Sequence, residues 1–157
     1  MRKTFRRFLL AGLALLFVFL AACSSAPQHA DLQEVYGKIL ELPEMPEMIS
    51  LSEKRIESYY GIDTASCPQA IVAICGDGLR VDEIWLIEAP SEKEAEHILD
   101  LASKRVGQVC DETENYLPEQ YAVAQQARTL RTGCYVALFL SPDAEAMDEI
   151  LQESFSS

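Results

Sequence analysis

The sequence predicts a single α+β domain: a mostly antiparallel sheet of about four strands, with helices packed on one face. Three observations carry this. Apolar residues recur at helical spacing in four stretches of the chain. Short apolar runs arrive in two pairs, each pair joined by a glycine-containing turn. The resulting order is helix, helix, strand, strand, helix, strand, strand, helix, which brings strands together as hairpins.

The first helix is expected over 31–42, where Leu32, Val35, Tyr36 and Ile39 share a face and Asp31 is a suitable N-cap. Pro43 ends it. Glu41-Leu42-Pro43, Glu44-Met45-Pro46 and Glu47-Met48 then repeat with a period of three. Polyproline II has the same period and would place Leu42, Met45 and Met48 along one edge. That strip reads as a connector lying over the domain's own core; an adaptable docking strip is the competing reading. Ser52 caps a second helix to about Tyr60, with Leu51 and Ile56 as a hydrophobic staple and Gly61 as its stop.

Pro68 opens a strand through Ala70–Cys75 that is apolar on both faces. Gly76-Asp77-Gly78 turns the chain into a second strand, Val81–Glu88. Ser91-Glu92-Lys93-Glu94 is a capping box for the longest helix, whose stripe is Ala95, Ile98, Leu99, Ala102, Val106, Val109 and Cys110. The helix is expected to fray at Asp111–Thr113, before a loop or short helix at Tyr116–Tyr121. Arg128–Thr132 is polar enough for an edge strand. Gly133 turns the chain, and Cys134–Leu140 reads as a buried central strand. Ser141 and Pro142 open the last helix, with Met147, Ile150 and Leu151 facing the core. The stretches Trp85–Leu99 and Ala137–Leu151 resemble each other, but shared supersecondary rules explain this without duplication.

The N-terminus carries a different kind of information. Arg2, Lys3, Arg6 and Arg7 precede an almost unbroken apolar run, and Leu20-Ala21-Ala22-Cys23 follows. Basic flank, apolar core and small-residue cleavage site make a secretory leader. The 15 residues from Phe8 to Ala22 fall short of the roughly 20 needed to span a bilayer. The cysteine at the cut resembles a bacterial lipobox, in which the thiol takes a diacylglyceryl group and cleavage falls between Ala22 and Cys23. Two acyl chains anchor stably where one is marginal. The expected organisation is therefore a leader over 1–22, a tether over 23–30 and one domain over 31–157. Eight extended residues reach at most about 28 Å. The expected location is the extracytoplasmic face of the cell membrane, held by the lipid. His29 falls in the tether and is expected to be solvated.

The leader holds four of the 13 basic residues and no acidic one, so the remaining chain has 9 basic against 25 acidic residues and a formal charge of −16. Such a surface repels nucleic-acid phosphates and anionic lipid, so no nucleic-acid partner is expected. Cys67, Cys75, Cys110 and Cys134 remain after Cys23. An even count in an exported chain permits disulfides, although Cys75 and Cys134 lie in apolar runs and read as buried, inert thiols. Cys-x-x-Cys spacing is absent, so neither a zinc site nor another cofactor is expected.

Catalytic patterns are equally absent: no Gly-x-Ser-x-Gly, no His-Glu-x-x-His and no complete phosphate loop around Gly76 and Gly78. Adjacent Asp82 and Glu83 point to opposite faces of a strand and read as a solvated strand end. Asp111, Glu112 and Glu114 lack the spacing of a calcium loop. An enzyme would have to pair Cys67 or Cys110 with His97. The expectation is instead a non-catalytic binding or accessory module of the envelope, acting on an envelope protein or a small ligand.

Asp82-Glu83-Ile84, Tyr116-Leu117-Pro118-Glu119-Gln120 and Gly133-Cys134-Tyr135-Val136 together resemble the domain of unknown function 4358 family. The likeness covers most of the chain after Leu42. It implies a small α+β domain in an envelope lipoprotein, and it brings no catalytic residue.

Overall fold

The computed structural model describes residues 29–156. The cleavage site and Cys23 lie outside them. Within them the chain forms α1 (Leu32–Leu40), β1 (Met48–Ser50), α2 (Glu53–Tyr60), β2 (Gln69–Cys75), β3 (Glu83–Glu88), α3 (Glu92–Thr113), α4 (Pro118–Gln125), β4 (Arg128–Thr132), β5 (Tyr135–Leu140) and α5 (Ala144–Ser154). A short 3₁₀ turn at Thr64–Ser66 precedes β2.

The α+β class is as expected, but the sheet has five strands, in the order β1-β2-β3-β5-β4, with every neighbouring pair antiparallel. The additional strand is β1, which pairs Met48 with Cys75 and Ser50 with Ala73. The three-residue repeat before it does not run as polyproline II. It turns at 41–44, and Glu44 adopts φ 68°. Leu42, Met45 and Met48 nevertheless pack on the domain's own core, as a connector would.

The helices cover both faces of the sheet rather than one. On one face Val72, Trp85, Ile87, Val136 and Leu138 pack with α2, α3 and α4. On the other, Ala73, Ile84, Leu86, Ala137 and Phe139 pack with α1 and α5. The cause is visible in β3 and β5, whose central residues are apolar without alternation and therefore need cover on both sides. The same placement bears on the internal resemblance. Superposing Trp85–Leu99 on Ala137–Leu151 equates Trp85 with Ala137, which belong to opposite cores. The two units are thus not copies related by a two-fold axis through the sheet.

Local signals at the helix ends mostly hold. Asp31 accepts from the N–H groups of Gln33 and Glu34, and Ser91 accepts from Glu94. Gly61 closes α2 at φ 72°, the left-handed geometry that favours glycine. Ser52 caps by position but makes no side-chain bond. The last helix starts two residues later than expected: Asp143 is its N-cap, while Ser141 forms the preceding turn by accepting from the Asp143 and Ala144 N–H groups. Within the 116–121 segment, Tyr116 ends a turn, Leu117 is the N-cap and α4 begins at Pro118.

The N-terminal segment is tied to one end of the sheet. Ala30 is buried; its N–H donates to Tyr135 Oη at 3.3 Å, and its carbonyl accepts from Gln69 Nε2 at 2.9 Å. Gln69 also accepts from the Leu32 N–H and donates to Glu88. His29, expected to be free in the tether, lies 3.2 Å through Nδ1 from the same Tyr135 hydroxyl. The folded domain thus begins inside the predicted tether, because these backbone groups find partners there.

Candidate functional site

The opposite end of the sheet holds a cleft. It opens where β2 turns into β3, bounded by the end of α2, the last turns of α3 and the start of α4, with a volume of about 370 Å³. That lies within the roughly 300–1,000 Å³ of small-ligand sites.

Its floor is built from β3 outward. Residues i and i+2 of a strand share a face, so Glu83 and Trp85 both point toward α3. Trp85 is fully buried, and an indole N–H so placed needs an acceptor. Glu83 Oε1 supplies it at 2.7 Å, while Glu83 Oε2 accepts from Arg105 Nε at 3.0 Å. Glu83 itself is 1% exposed. A carboxylate buried to that degree requires such pairing. Arg105 reaches it from α3, with its guanidinium 5.9 Å above the Tyr60 ring, and Tyr60 in turn lies 4.7 Å from Trp85. The four side chains form one stack from core to cleft.

The electrostatics follow from this burial. The Tyr60 phenol is pushed well above its ordinary value, first by burial and then by the charge and hydrogen bond of Glu83. For Arg105, burial pulls downward, but the charge and hydrogen bond of Glu83 outweigh it and the net direction is up. It remains a cation.

A second pair stands beside the first. Arg80 grips Asp82 in a fork, Nε to Oδ2 at 2.8 Å and Nη2 to Oδ1 at 3.1 Å. Asp82 is buried as well. The expectation that Asp82 and Glu83 form a solvated strand end is therefore wrong. Each carboxylate is buried because an arginine meets it: Arg80, two residues before Asp82, and Arg105, 22 positions after Glu83. Arg105 carries a sequence signal for this. It sits three residues after Ala102 and four before Val109, on the apolar stripe rather than on the solvent face.

The cysteines do not assemble into a catalytic pair. Cys67, Cys75, Cys110 and Cys134 are all free thiols and all half-buried. Cys75 and Cys134 are less buried than expected because they stand at element ends: Cys75 closes β2 and lines the cleft, and Cys134 lies in the turn before β5. The Cys67 thiol is pushed up by burial first and by Asp63 second, so its nucleophilic thiolate is disfavoured. Cys110 packs against the core in the last turn of α3. His97 is exposed on α3, and among the described residues it makes no hydrogen bond to a cysteine. Nor do the described residues gather three His, Cys, Asp or Glu side chains in a way that could hold a metal ion. Glu112, from the acidic run considered for a cation, instead lies 3.9 Å from Arg105.

Two of the three short motifs meet at the cleft. The N–H of Val81, just before Asp82-Glu83, donates to Gln120 Oε1 at 3.0 Å, and Leu117 lines the cleft wall. The third, around Tyr135, lies at the N-terminal end of the sheet. No curated protein and no solved structure matches the chain. Residues 43–141, which run from the turn before β1 to the end of β5 and include both buried ion pairs, match the family described as Domain of unknown function (DUF4358), and the chain belongs to that family.

Proposed function

We propose that the protein is a lipid-anchored binding or accessory module on the extracytoplasmic face of the cell membrane, and that its cleft contacts a ligand or partner without catalysing a reaction. The observation that carries the binding role is the state of the buried carboxylates. Both oxygens of Asp82 and both of Glu83 are committed to fixed donors within the domain. Such groups hold a surface in shape; a general acid or base needs a free lone pair or proton within reach of substrate. The anchoring rests on the basic flank, the apolar run and Leu20-Ala21-Ala22-Cys23.

The two ends of the sheet support the same reading. The N-terminal segment is held at the Gln69, Glu88 and Tyr135 end, and the cleft opens at the Cys75 and Glu83 end. Five steps of strand separate them, about 17 Å. A chain anchored at Cys23 would present the cleft away from the bilayer. Metabolic labelling with a fatty acid tests the anchor. The expected result is label on the wild-type protein and none on Cys23→Ala; label that persists on the variant refutes anchoring through Cys23. Crosslinking of the tagged, lipidated protein in cells tests the module, with the expected adducts formed through residues at the cleft mouth. Adducts confined to the far end would refute the assignment of the cleft.

A further inference from the structure

We infer that the cleft takes a neutral, polyhydroxylated ligand, a saccharide, held by the outward edges of Arg80 and Arg105 and by the face of Tyr59. This rests on the binding-module reading and specifies its ligand class.

The charges of the cleft decide against ions of either sign. Arg80 and Arg105 face four carboxylates, those of Asp77, Asp82, Glu83 and Glu112. The surplus is negative, and the chain after the leader carries −16. An anion would have to approach against that field. A cation fares little better, because the two deep carboxylates are fully engaged by Arg80, Arg105 and Trp85. Only Asp77 and Glu112 remain for it, and Asp77 already accepts from the Leu79 N–H.

What the cleft does offer is directional and unspent. Arg80 uses Nε and Nη2 on Asp82, and among the described residues its Nη1 has no hydrogen-bond partner. Arg105 uses Nε on Glu83, and neither of its Nη atoms makes a hydrogen bond among the described residues; the nearest carboxylate, Glu112, is 3.9 Å away. Each guanidinium is thus locked along one edge by a buried carboxylate and open along the other. Fixing donors before binding removes an entropic cost that flexible side chains would incur. Hydroxyl groups suit such a site because each can accept from a guanidinium and donate to a carboxylate at the rim. The third feature is aromatic. Tyr59 lines the cleft with 61% of its surface exposed, edge-on to the half-buried Tyr60. A large ring left open beside hydrogen-bonding groups gives the apolar C–H face of a sugar ring a surface to cover.

The test uses the full-length processed protein in phosphatidylcholine vesicles, which avoids glycoside detergents. The readout is the fluorescence of Trp85, the only tryptophan in the chain, which contacts Tyr60 at the cleft floor. Maltotriose, cellotriose and chitotriose are the probes, with inorganic phosphate and spermidine as the anionic and cationic comparisons. The expected result is a saturable change with at least one saccharide and none with phosphate or spermidine. Tyr59→Ala and Arg80→Lys should each weaken that binding roughly tenfold. Tyr59 is exposed, so its variant leaves the core intact even if Arg80→Lys perturbs the fold. Failure of all three saccharides, binding of phosphate or spermidine in their place, or unchanged affinity in Tyr59→Ala overturns the inference. If the saccharides fail while cleft-mouth crosslinks identify a protein partner, the ligand class falls and the module reading stands.

Discussion

Replacing Arg105 by Met should destabilise the domain because it strands a charge rather than because it removes a contact. Glu83 is 1% exposed and would keep only neutral donors, the Trp85 N–H and the Tyr60 hydroxyl. Breaking a fully buried ion pair costs about 3–5 kcal/mol. The Arg105 side chain is 24% exposed, so water can partly replace it, and about 2–3 kcal/mol is expected. Glu83→Gln should cost less, about 1–2 kcal/mol, because a neutral amide can still accept from Trp85 and Arg105 retains access to water. In the double variant neither charge remains to be stranded. Its cost should therefore fall short of the sum of the two single costs by at least about 1 kcal/mol. Urea unfolding at neutral pH, followed by far-UV circular dichroism so that the readout does not depend on Trp85, measures all four corners of the cycle. Single costs that add to within about 0.5 kcal/mol would show that the pair is not coupled, and the account of the cleft floor would be wrong.

Two further predictions concern the backbone and the phenol. Gly61→Ala should cost about 1 kcal/mol, because φ 72° strains any other residue although nothing lies within 4 Å of the added carbon. Gly107→Ala, inside α3 with equally open space, should stabilise by about 0.5–1 kcal/mol; thermal unfolding of the two variants separates a conformational cause from a packing one, and shifts of the same sign would refute it. Tyr60 should ionise well above the ordinary tyrosine value of 10.0 in a spectrophotometric titration, and Tyr60→Phe should remove that late component. The folded chain holds that proton longer than the unfolded chain, so this contribution is intact below the ordinary value of 10.0 and is lost as pH rises above it. Tyr60→Phe should show a shallower loss of stability than the wild type over that alkaline range, and equal slopes would contradict the assignment.

The elements were legible because their signals are local. Caps at Asp31 and Ser91, the stop at Gly61 and the two glycine turns each lie within a few residues of what they control. β1 was not, because three residues show no alternation and its partner strand follows some 25 positions later. Cover on both faces could have been read from β3 and β5, where continuous apolar runs leave no side for solvent. The cleft was the least legible part. Asp82 and Glu83 look like a polar strand end until Arg105, 22 positions away, is seen to descend onto Glu83. The usable hint was combined: a tryptophan two residues after a glutamate, and an arginine on an apolar helix stripe. A charge's partner across the sheet is set by tertiary packing, which no spacing rule encodes.

The attachment of the N-terminal segment at one end of the strands and the cleft at the other also defines a load path. Tension applied between Ala30 and a ligand in the cleft would run along β2 and β3 rather than across them. The six residue pairs from Gln69–Glu88 to Ile74–Glu83 would then be sheared together instead of unzipped one after another. Pulling from β4 toward β1 would instead separate the ladders bond by bond. The domain is mechanically anisotropic, and its stiff direction is the one that joins its N-terminal segment to the cleft.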